Sequence, residues 1–341
     1  MSDAEAAAGT RVLLETFAAA GLPRPGPGRG VFLNAVASPA LDAEWRRALV
    51  CEQTHKGRHD ALARLSCDVR VQAGGAFDAG LVLLTKHKAA ALAAVARAAA
   101  MVAPGGVLAC AGARDAGALS VQKRVGATIA LEGQRFAAHQ RAFWLRRPEA
   151  LPPVLADWQA EGALRRVAPD GHVAAPGVFA WDRVDEGSQL LADHLPDELA
   201  GRVADFGCGW GYLAAEVLRR RHAVASLDLI DAEWSALEAA KANVADPRAR
   251  FLWRDLATEG GAGPYDWIVT NPPFHAGVGA EPDLGRAVLV AAARALKPGG
   301  GLVLVANRQM AYERTLDAHF AARQVLAETP RYKVLLATEV R

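Results

Sequence analysis

The sequence predicts an α/β fold that consists of two similar halves. Three observations support this: a length of 341 residues suits two ordinary domains, a strand–helix–strand pattern occurs once in each half, and a glycine-rich loop joins a strand to a helix in the second half. Hydrophobic residues make up 52% and charged residues 22%, which excludes a disordered chain. We expect domains at 1–170 and 171–341, connected between Trp158 and Pro176, where Gly and Pro interrupt a polar stretch.

The internal repeat has the same order of elements in both copies. The first copy has a strand at 81–84, the polar turn 85–88, an Ala-rich helix at 89–101, Pro104-Gly105-Gly106 and a strand at 107–110. The second copy has a strand at 267–270, the turn 271–274, a helix at 287–296, Pro298-Gly299-Gly300 and a strand at 302–305. Both are typical of βαβ crossovers; the alternative is two unrelated α/β segments that share a common turn. Asn-Pro-Pro-Phe of the second copy corresponds in sequence to Thr-Lys-His-Lys of the first copy. We therefore expect the first half to have lost its functional site.

The glycine loop of the second half follows a short strand at 203–206. Its sequence is Gly207-Cys208-Gly209-Trp210-Gly211, and a helical pattern follows at 213–221. Glycines permit a sharp turn and let a ligand approach the main chain. Strand, glycines, helix, second strand and acid in this order outline one mononucleotide-binding unit.

Acidic residues follow the next two predicted strands. The strand at 224–230 ends at Asp231, whose carboxylate could accept hydrogen bonds from both hydroxyls of a ribose. Asp228 and Glu233 compete for this role, and we favour Asp231 because it ends the apolar strand. Asp255 follows the strand at 251–253 and could accept from an adenine amine, or it could be a surface carboxylate without a ligand.

The spacing of the loop distinguishes two classes of nucleotide ligand. Nicotinamide sites use Gly-x-Gly-x-x-Gly so that a helix N-terminus meets a pyrophosphate. Here the third glycine comes one residue early, and Asp205 precedes Gly207 by two positions. This suits a ligand without phosphate, whose cationic amino-acid tail is held by a carboxylate and main-chain groups.

The turn Asn271-Pro272-Pro273-Phe274 ends the strand at 267–270. Two prolines stiffen it, because each fixes its own φ and pushes the preceding residue toward extended backbone. The Asn271 amide oxygen, the Pro272 carbonyl and an aromatic ring could then meet a planar substrate with an –NH2 group. An ordinary Asn-Pro turn is the alternative. His275 could order this loop or relay a proton.

Together these motifs resemble class I S-adenosylmethionine-dependent methyltransferases that act on nitrogen. Over the whole chain the sequence resembles the ribosomal RNA small subunit methyltransferase C family, which are guanine-N2 methyltransferases with two methyltransferase-like domains. The further shared elements are Pro176-Gly177-Val178-Phe179, Asp185-x-Gly187-Ser188-Gln189-Leu190-Leu191, Asn271 to His275 with Gly277, and Arg331-Tyr332-Lys333-Val334. Ala276 is a departure, since the family tends to carry an acid there.

The resemblance implies two tandem Rossmann-like class I methyltransferase domains, of which the N-terminal one is degenerate. It implies S-adenosyl-L-methionine as cofactor, no metal, and methyl transfer to the exocyclic N2 amine of a guanine in 16S ribosomal RNA. The implied catalytic residues are Asn271, Pro272 and Phe274. The implied cofactor-binding residues are Asp205, Gly207, Cys208, Gly209, Gly211, Asp231, Asp255 and Asn271. Amino methylation needs no catalytic cysteine, so we expect Cys208 to be a small filler within the loop.

The two halves differ in charge. Up to Asp170 there are 21 basic and 15 acidic residues, and the remainder has 18 basic and 22 acidic ones. A basic first half is typical of contact with a polyanion, although chance is the alternative. We expect ribosomal RNA, in the 30S subunit, as partner. The candidate RNA contacts are Phe274, His275, Lys86, Lys88, Arg114, Lys123 and Arg124.

Other features point to a cytoplasmic protein, and we expect a monomer because a duplicated chain can supply as one polypeptide what a dimer would. No apolar stretch reaches the ~18–20 residues of a membrane span, and the acidic N-terminus lacks the order of a secretory signal. The four cysteines are scattered, which indicates neither a zinc site nor disulfides. Three alternative functions stay open: methylation of a large-subunit rRNA guanine, methylation of a glutamine side chain in a translation factor, and a non-catalytic RNA-binding assembly factor.

Overall fold

The computed structural model describes residues 2–273 and 282–341. The chain divides into two compact units, Met1–Leu164 with Ala175–Gly177 and Arg165–Ala174 with Val178–Arg341. The described residues of each unit form one seven-stranded sheet. Within that part of the chain no helix is both long and apolar enough to cross a membrane.

The first unit is a mixed sheet flanked by helices. Its elements are α1 (Asp3–Ala19), β1 (Gly30–Leu33), α2 (Ala43–Ala48), β2 (Leu49–Glu52), α3 (Lys56–Arg64), β3 (Asp68–Arg70), β4 (Phe77–Leu83), α4 (Lys88–Met101), β5 (Val102–Ala113), α5 (Ala118–Gly126), β6 (Leu131–Ala137), β7 (Gln140–Arg146) and α6 (Val154–Gly162). The strand order is β3-β2-β1-β4-β5-β7-β6, and β7 runs antiparallel to both of its neighbours.

The second unit repeats this architecture. Its elements are β8 (Arg165–Arg166), β9 (Val173–Ala174), α7 (Glu186–Asp193), β10 (Gly201–Phe206), α8 (Tyr212–Arg220), β11 (Val224–Asp231), α9 (Trp234–Asn243), β12 (Ala249–Trp253), α10 (Leu256–Glu259), β13 (Tyr265–Thr270), α11 (Pro282–Ala295), β14 (Leu296–Asn307), α12 (Glu313–His319), β15 (Phe320–Glu328) and β16 (Tyr332–Val340). The sheet order is β12-β11-β10-β13-β14-β16-β15, while β8 and β9 form a separate hairpin. The predicted α/β fold with two similar halves is confirmed.

The Pro-Gly-Gly segments have the same unusual place in both units. Each lies inside a strand of 12 residues, β5 or β14, that follows a helix of 14 residues. The pairing shifts there, and Gly105 and Gly299 have φ angles of 75° and 79°. Glycine is required because a side chain rarely adopts positive φ. The predicted turn before a strand is therefore a break within one longer strand.

The strand register corrects the expected correspondence between the two turns. Phe77 and Tyr265 begin the equivalent strands β4 and β13, and each pairs with the first residue of the next strand. Counting along both strands places Leu83 at the position of Asn271. Residues 83–86, rather than 85–88, therefore match the Asn-Pro-Pro-Phe turn. The error arose because the two apolar runs differ in length. In the first half the run continues through Leu83 and Leu84, whereas the second half has already reached the turn at the equivalent positions.

Both faces of each sheet are covered, as expected for largely parallel strands. In the second unit Ala204, Phe206 and Ile268 pack on one face. Val203 and Val269 pack on the other. Because alternate residues face opposite sides, neither face of the central strands reaches solvent. Polar chemistry is therefore confined to the strand ends.

Asp228 is the exception inside the second sheet. It is 0% exposed in the middle of β11. Its carboxylate accepts hydrogen bonds from Arg250 on β12 (2.7 and 2.8 Å), Arg202 on β10 (3.1 Å) and the Tyr265 hydroxyl on β13 (2.8 Å). Burial opposes its ionisation, but these bonds outweigh burial and lower the pKa of Asp228. One carboxylate thus links four adjacent strands.

We expect Asp228→Ala to lower the free energy of unfolding by about 3 kcal/mol, because four N–H and O–H donors on three side chains lose their buried acceptor. Denaturant unfolding at pH 7 measures this. A carboxylate with a lowered pKa stabilises the fold above the ordinary pKa of Asp, so the difference from the wild type should shrink as the pH falls below about 4.

Glu238→Ala provides the control. Glu238 pairs with Lys241 on the exposed face of α9, where such a pair contributes little. Equal losses in the two variants would contradict the structural role of Asp228.

Candidate active site

The predicted site residues of the second unit gather at one edge of its sheet. Asp205 and Asp231 lie at the carboxyl ends of β10 and β11, while Asp255 and Asn271 follow β12 and β13. Ligand sites of open α/β sheets form at this edge. A cleft there is lined by the glycine loop 207–210, by Asn271 and by residues of the segment 179–188. Asp205, Asp231 and Asp255 lie at strand ends outside the lining of this cleft, and Asp205 is fully buried.

The three glycines of the loop have different functions. Gly207, Gly209 and Gly211 have φ angles of 74°, 54° and 92°, which disfavour any side chain. A Cβ on Gly207 or Gly209 would meet no described atom within 4 Å, so the main chain faces open space there. A Cβ on Gly211 would lie 2.9 Å from Val244 Cγ2. The first two glycines therefore leave room for a ligand, and the third allows the packing of α8 on α9.

Asp231 holds the loop in place. Its Oδ2 accepts a hydrogen bond from the Gly209 N–H (2.9 Å), and its Oδ1 accepts from the Glu233 N–H (2.8 Å). The Ile230 carbonyl accepts from the first two N–H groups of the loop, those of Gly207 (2.9 Å) and Cys208 (3.1 Å). Asp231 and the Ile230 carbonyl thereby fix the main chain of the glycine loop at the end of β11.

Asp255 serves locally as a helix cap. Its Oδ1 accepts from the Ala257 N–H (3.0 Å) at the start of α10. The side chain is half-buried. Within the described residues, no group of three or more His, Cys, Asp or Glu side chains is arranged to hold a metal ion.

Asp205 is buried without compensation. It is 0% exposed, and within residues 2–273 and 282–341 neither carboxylate oxygen has a hydrogen-bond partner. Burial raises the pKa of Asp205 to about 7; the Ala214 backbone N–H, which falls short of hydrogen-bond geometry, opposes the rise, and the charge of Asp231 adds to it. An unpaired buried carboxylate is costly. A cationic ligand group at this edge would relieve that cost.

Cys208 packs within the loop. Its side chain is 7% exposed. Burial, with the negative charges of Asp231 and Asp205, raises the pKa of the Cys208 thiol well above its ordinary value. A thiol that stays protonated is a poor nucleophile.

Asn271 is held in one orientation. Its Nδ2 donates to Asp185 Oδ2 (3.0 Å) and to Ser188 Oγ (2.8 Å). A carboxylate only accepts, so it selects the amide nitrogen and leaves Oδ1 to face away. That Oδ1 is buried and has no hydrogen-bond partner among the described residues. Asn271 thus lines the cleft and carries a buried acceptor that no described residue uses.

Sequence reasoning missed the contacts of Asp185 and Ser188 with Asn271. The two residues stood out only as family-shared positions ahead of the glycine loop. The available signal was an N-cap pattern, since Asp185 caps α7 by accepting from the Ser188 N–H (2.8 Å). Their contacts with Asn271 span 86 and 83 residues, which no local pattern reveals.

The rest of the Asn-Pro-Pro-Phe turn is described only in part. Thr270 Oγ1 donates to the Phe206 carbonyl (2.7 Å) and ties the end of β13 to the start of the glycine loop. Pro272 is buried. Phe274 and His275 lie outside the described residues, as does Ala276.

The glycine loop is braced by the preceding segment. The ring of His172 stacks on Trp210 with centroids 4.1 Å apart, and Trp210 Nε1 donates to the Ala180 carbonyl (3.2 Å). Phe179, 56% exposed, lines the cleft. Trp181 instead packs beside Arg165, whose guanidinium lies 5.1 Å from its ring.

The first unit keeps the backbone of this site without its acids. The registers of β1, β2 and β4 place Phe32 at the position of Asp205, and Gln53 at that of Asp231. Asn34 occupies the position of Gly207 and keeps a φ of 56°. Gln53 Oε1 accepts from the N–H two residues on (2.8 Å), as Asp231 does in the second unit. The turn geometry is retained, and the carboxylates are replaced.

The candidate RNA contacts fall into two groups within the first unit. Lys86 and Lys88 follow β4, and Arg114 follows β5, so these three exposed cations lie at the carboxyl edge of the sheet. Lys123 and Arg124 occupy the last turn of α5, which leads away from that edge.

Comparison with known proteins gives consistent likenesses. The family model described as "Methyltransferase small domain" matches residues 172–336. The ribosomal RNA small subunit methyltransferase C of Hahella chejuensis is 38% identical over 203 residues, which cover 58% of this chain and 58% of that protein. The protein of the same name from Shewanella loihica is 31% identical over 283 residues, covering 80% of this chain and 81% of the relative. The match thus spans less than two thirds of the Hahella protein but most of the Shewanella one.

A solved structure resembles both units. It is that of the T. thermophilus 16S rRNA N2 G1207 methyltransferase in complex with AdoMet and guanosine. The TM-score is 0.76 at 25% identity, and the match covers 97% of this chain and 91% of that one. The predicted fold of two methyltransferase domains is therefore confirmed.

We expect Asp205→Asn to stabilise the ligand-free protein at pH 8. A carboxyl whose folded pKa is raised binds more protons in the folded state, so wild-type stability falls as the pH rises from about 4 to about 7 and stays low above that. A shift from 3.8 to about 7 corresponds to a ceiling of about 4 kcal/mol. Urea unfolding at pH 5 and pH 8 measures the difference, which should be much smaller at pH 5.

Asp231→Asn is the matched control, because the Asp231 carboxylate already accepts two backbone hydrogen bonds. It should give no gain at pH 8. A gain from Asp205→Asn that is absent or independent of pH would show that the Asp205 carboxylate is not an uncompensated charge.

Proposed function

We propose that this chain, which belongs to the ribosomal RNA small subunit methyltransferase C family, transfers a methyl group from S-adenosyl-L-methionine to the exocyclic N2 amine of a guanine in 16S rRNA. The observation that carries the proposal is the fixed amide of Asn271: the residue lines the same cleft as the glycine loop, and its buried Oδ1 has no hydrogen-bond partner among the described residues. The related T. thermophilus enzyme, described with AdoMet and guanosine, supports the choice of cofactor and base.

The residues at the sheet edge fit S-adenosylmethionine. The buried, unpaired Asp205 would accept the ammonium of the methionine tail. Gly207 and Gly209 leave main chain open to a ligand. Asp231 would accept the ribose hydroxyls, and Asp255 the adenine amine. When bound, the cofactor supplies an electrophilic methyl group on a sulfonium.

Asn271 activates the amine by geometry. The lone pair of a guanine amine is delocalised into the ring, so the amine is a poor nucleophile. If Asn271 Oδ1 and the Pro272 carbonyl accept its two N–H bonds, the lone pair turns out of the ring plane and toward the methyl group. Such positioning supplies much of the rate acceleration. The same two acceptors stabilise the positive charge that develops on nitrogen.

Phe274 is proposed to stack on the target base and set its angle, with His275 beside it. The proton leaves after the transfer, so no strong base is required. Because duplex RNA hides this amine, the base must be flipped out or presented in a loop.

The first unit is proposed to bind the surrounding RNA through the carboxyl edge of its sheet. Lys86 and Lys88 lie at the start of α4, where the helix dipole is positive and the first turn contains no acid. Positive charges are unfavourable at the N-terminal end of a helix, and a bound anion would offset that repulsion. Within the described residues Lys86, Lys88 and Arg114 form no ion pair, so they are available to phosphates. Lys123 and Arg124 are less favourably placed.

The proposal extends to the cellular context. A 16S rRNA substrate places the reaction in the cytoplasm, on the 30S subunit. We also propose that the chain acts as a monomer, since one polypeptide carries both the catalytic half and the RNA-binding half. Light scattering of the purified protein tests this.

We expect the purified protein to transfer labelled methyl from S-adenosylmethionine to 30S subunits or 16S rRNA, with the label in N2-methylguanine by mass spectrometry. Asn271→Ala should reduce the turnover rate by at least ~100-fold, because an acceptor for the developing charge is lost. Arg64→Ala, an exposed change on α3 of the first unit, is the control and should keep full activity.

The same assay separates the rival functions. Label in 50S subunits alone would identify a large-subunit guanine, and label in a release factor alone would identify a glutamine target. Calorimetry without a binding signal for S-adenosylmethionine would leave only a non-catalytic RNA-binding role.

We expect the triple variant Lys86→Ala, Lys88→Ala and Arg114→Ala to raise the KM for RNA at least ~10-fold. Each lost phosphate contact should lower the slope of log affinity against log salt by about 0.7–0.9. Filter binding at several salt concentrations measures this. Calorimetry should show unchanged cofactor binding, and Arg64→Ala should again match the wild type. An unchanged salt slope would exclude this edge as the RNA surface.

A further inference from the structure

We propose that Asp185 is a positioning residue for methyl transfer: with Ser188 it locks the Asn271 amide so that an oxygen, never a nitrogen, faces the substrate amine. This inference rests on the proposed function. It assigns a role in the rate of transfer to a side chain that need not touch the substrate or the cofactor.

The hydrogen-bond pattern carries the argument. Asp185 Oδ2 accepts from the Ser188 N–H (2.8 Å) and from Asn271 Nδ2 (3.0 Å), while Ser188 Oγ accepts from the same Nδ2 (2.8 Å). Both protons of the Asn271 amide nitrogen therefore have acceptors. Rotating the amide by 180° would bring Oδ1 against the Asp185 carboxylate and point an –NH2 group at the amine of the substrate. Two donors facing each other would abolish the activation.

The charge of Asp185 adds to its geometry. A hydrogen bond to an ionised acceptor is about twice as strong as a neutral one. It also polarises the amide, because electron density moves from nitrogen toward Oδ1 and makes that oxygen a better acceptor. Positive charge develops on the substrate nitrogen during transfer, so a polarised acceptor is most useful in the transition state.

The cations near Asp185 do not neutralise its carboxylate. The neighbouring cations are already paired, Arg331 with Glu186 (2.7 Å) and Arg183 with Asp182 (2.9 Å). Within the described residues Asp185 forms no ion pair. A Cβ on Gly187 would lie 3.1 Å from both Asp185 Oδ2 and the Tyr332 ring, so glycine leaves room for the carboxylate to turn toward Asn271.

The test separates capping from positioning. Asp185 is also the N-cap of α7, and serine caps a helix nearly as well. Asp185→Ser keeps an acceptor for the Ser188 N–H but is too short to reach Asn271. Asp185→Asn keeps the length and removes the charge. Asp42→Ser is the matched control, since Asp42 caps α2 of the first unit in the same way.

We expect Asp185→Ser to lower kcat by about 100-fold, the usual effect of a misplaced reacting group, and Asp185→Asn by about 10-fold. The Kd for S-adenosylmethionine, the KM for RNA and the thermal unfolding midpoint should stay close to wild type. Asp42→Ser should leave kcat unchanged. Single-turnover methyl transfer, calorimetry and thermal unfolding provide these values.

Exchanging the residues at 185 and 271 tests the hydrogen bond between them directly. Recovery of activity in the exchanged pair would not be expected if Asp185 had only a structural role. Asn271→Asp alone places two carboxylates in contact and should be inactive. Asp185→Asn with Asn271→Asp restores a donor–acceptor pair with an acceptor facing the cleft, and it should recover at least 10-fold over Asn271→Asp. Failure of the swap to recover activity would overturn the inference.

Two further outcomes would also overturn it. One is a folded Asp185→Ser variant whose kcat is within threefold of the wild type. The other is a parallel loss of cofactor binding, which would make Asp185 a cofactor-binding residue instead. A wild-type protein inactive on every RNA would remove the proposed function and this inference together, whereas an active wild type with an unaffected Asp185→Ser variant removes the inference alone.

Discussion

The hydrogen bonds of the Asp228 carboxylate are the interaction on which the sheet of the second unit depends. It joins β10, β11, β12 and β13 through two arginines and a tyrosine. The candidate site residues extend from the same four strands, at their carboxyl ends. The relative positions of those ends therefore depend on hydrogen bonds to a buried carboxylate in the middle of the strands. The candidate site residues come from distant parts of the chain. One carboxylate, with its three partners, connects the strands that carry them.

Asp228 and Asp205 show how hydrogen bonding sets the pKa of a buried carboxylate. Both are 0% exposed, yet the pKa of Asp228 is lowered and that of Asp205 is raised to about 7. The difference is the number of hydrogen bonds accepted within the described residues, four from three side chains against none. A satisfied buried acid stabilises its own fold, whereas an unsatisfied one gains most from a ligand. The Asn271 Oδ1 is likewise a buried acceptor without a hydrogen-bond partner among the described residues.

Patterns close together in the sequence predicted the fold and much of the site. The glycine loop, the acids at strand ends and the repeated elements gave the two-domain architecture, and the family assignment is confirmed. Alignment of the two turns failed by two residues, because an apolar run does not show where a strand ends. The contact of Asp185 with Asn271 was missed because it joins segments 86 residues apart. The roles of the individual site residues remain predictions, and Phe274 lies outside the described residues.

Phe32 of the first unit occupies the register position of Asp205, and the two side chains contribute differently to folding. An unpaired buried carboxylate costs stability, while a phenylalanine at the same place, also 0% exposed, contributes core packing. Exchange of an unpaired buried carboxylate for phenylalanine therefore raises folding stability, and the reverse exchange lowers it. Folding stability alone thus does nothing to preserve such a carboxylate in either sheet.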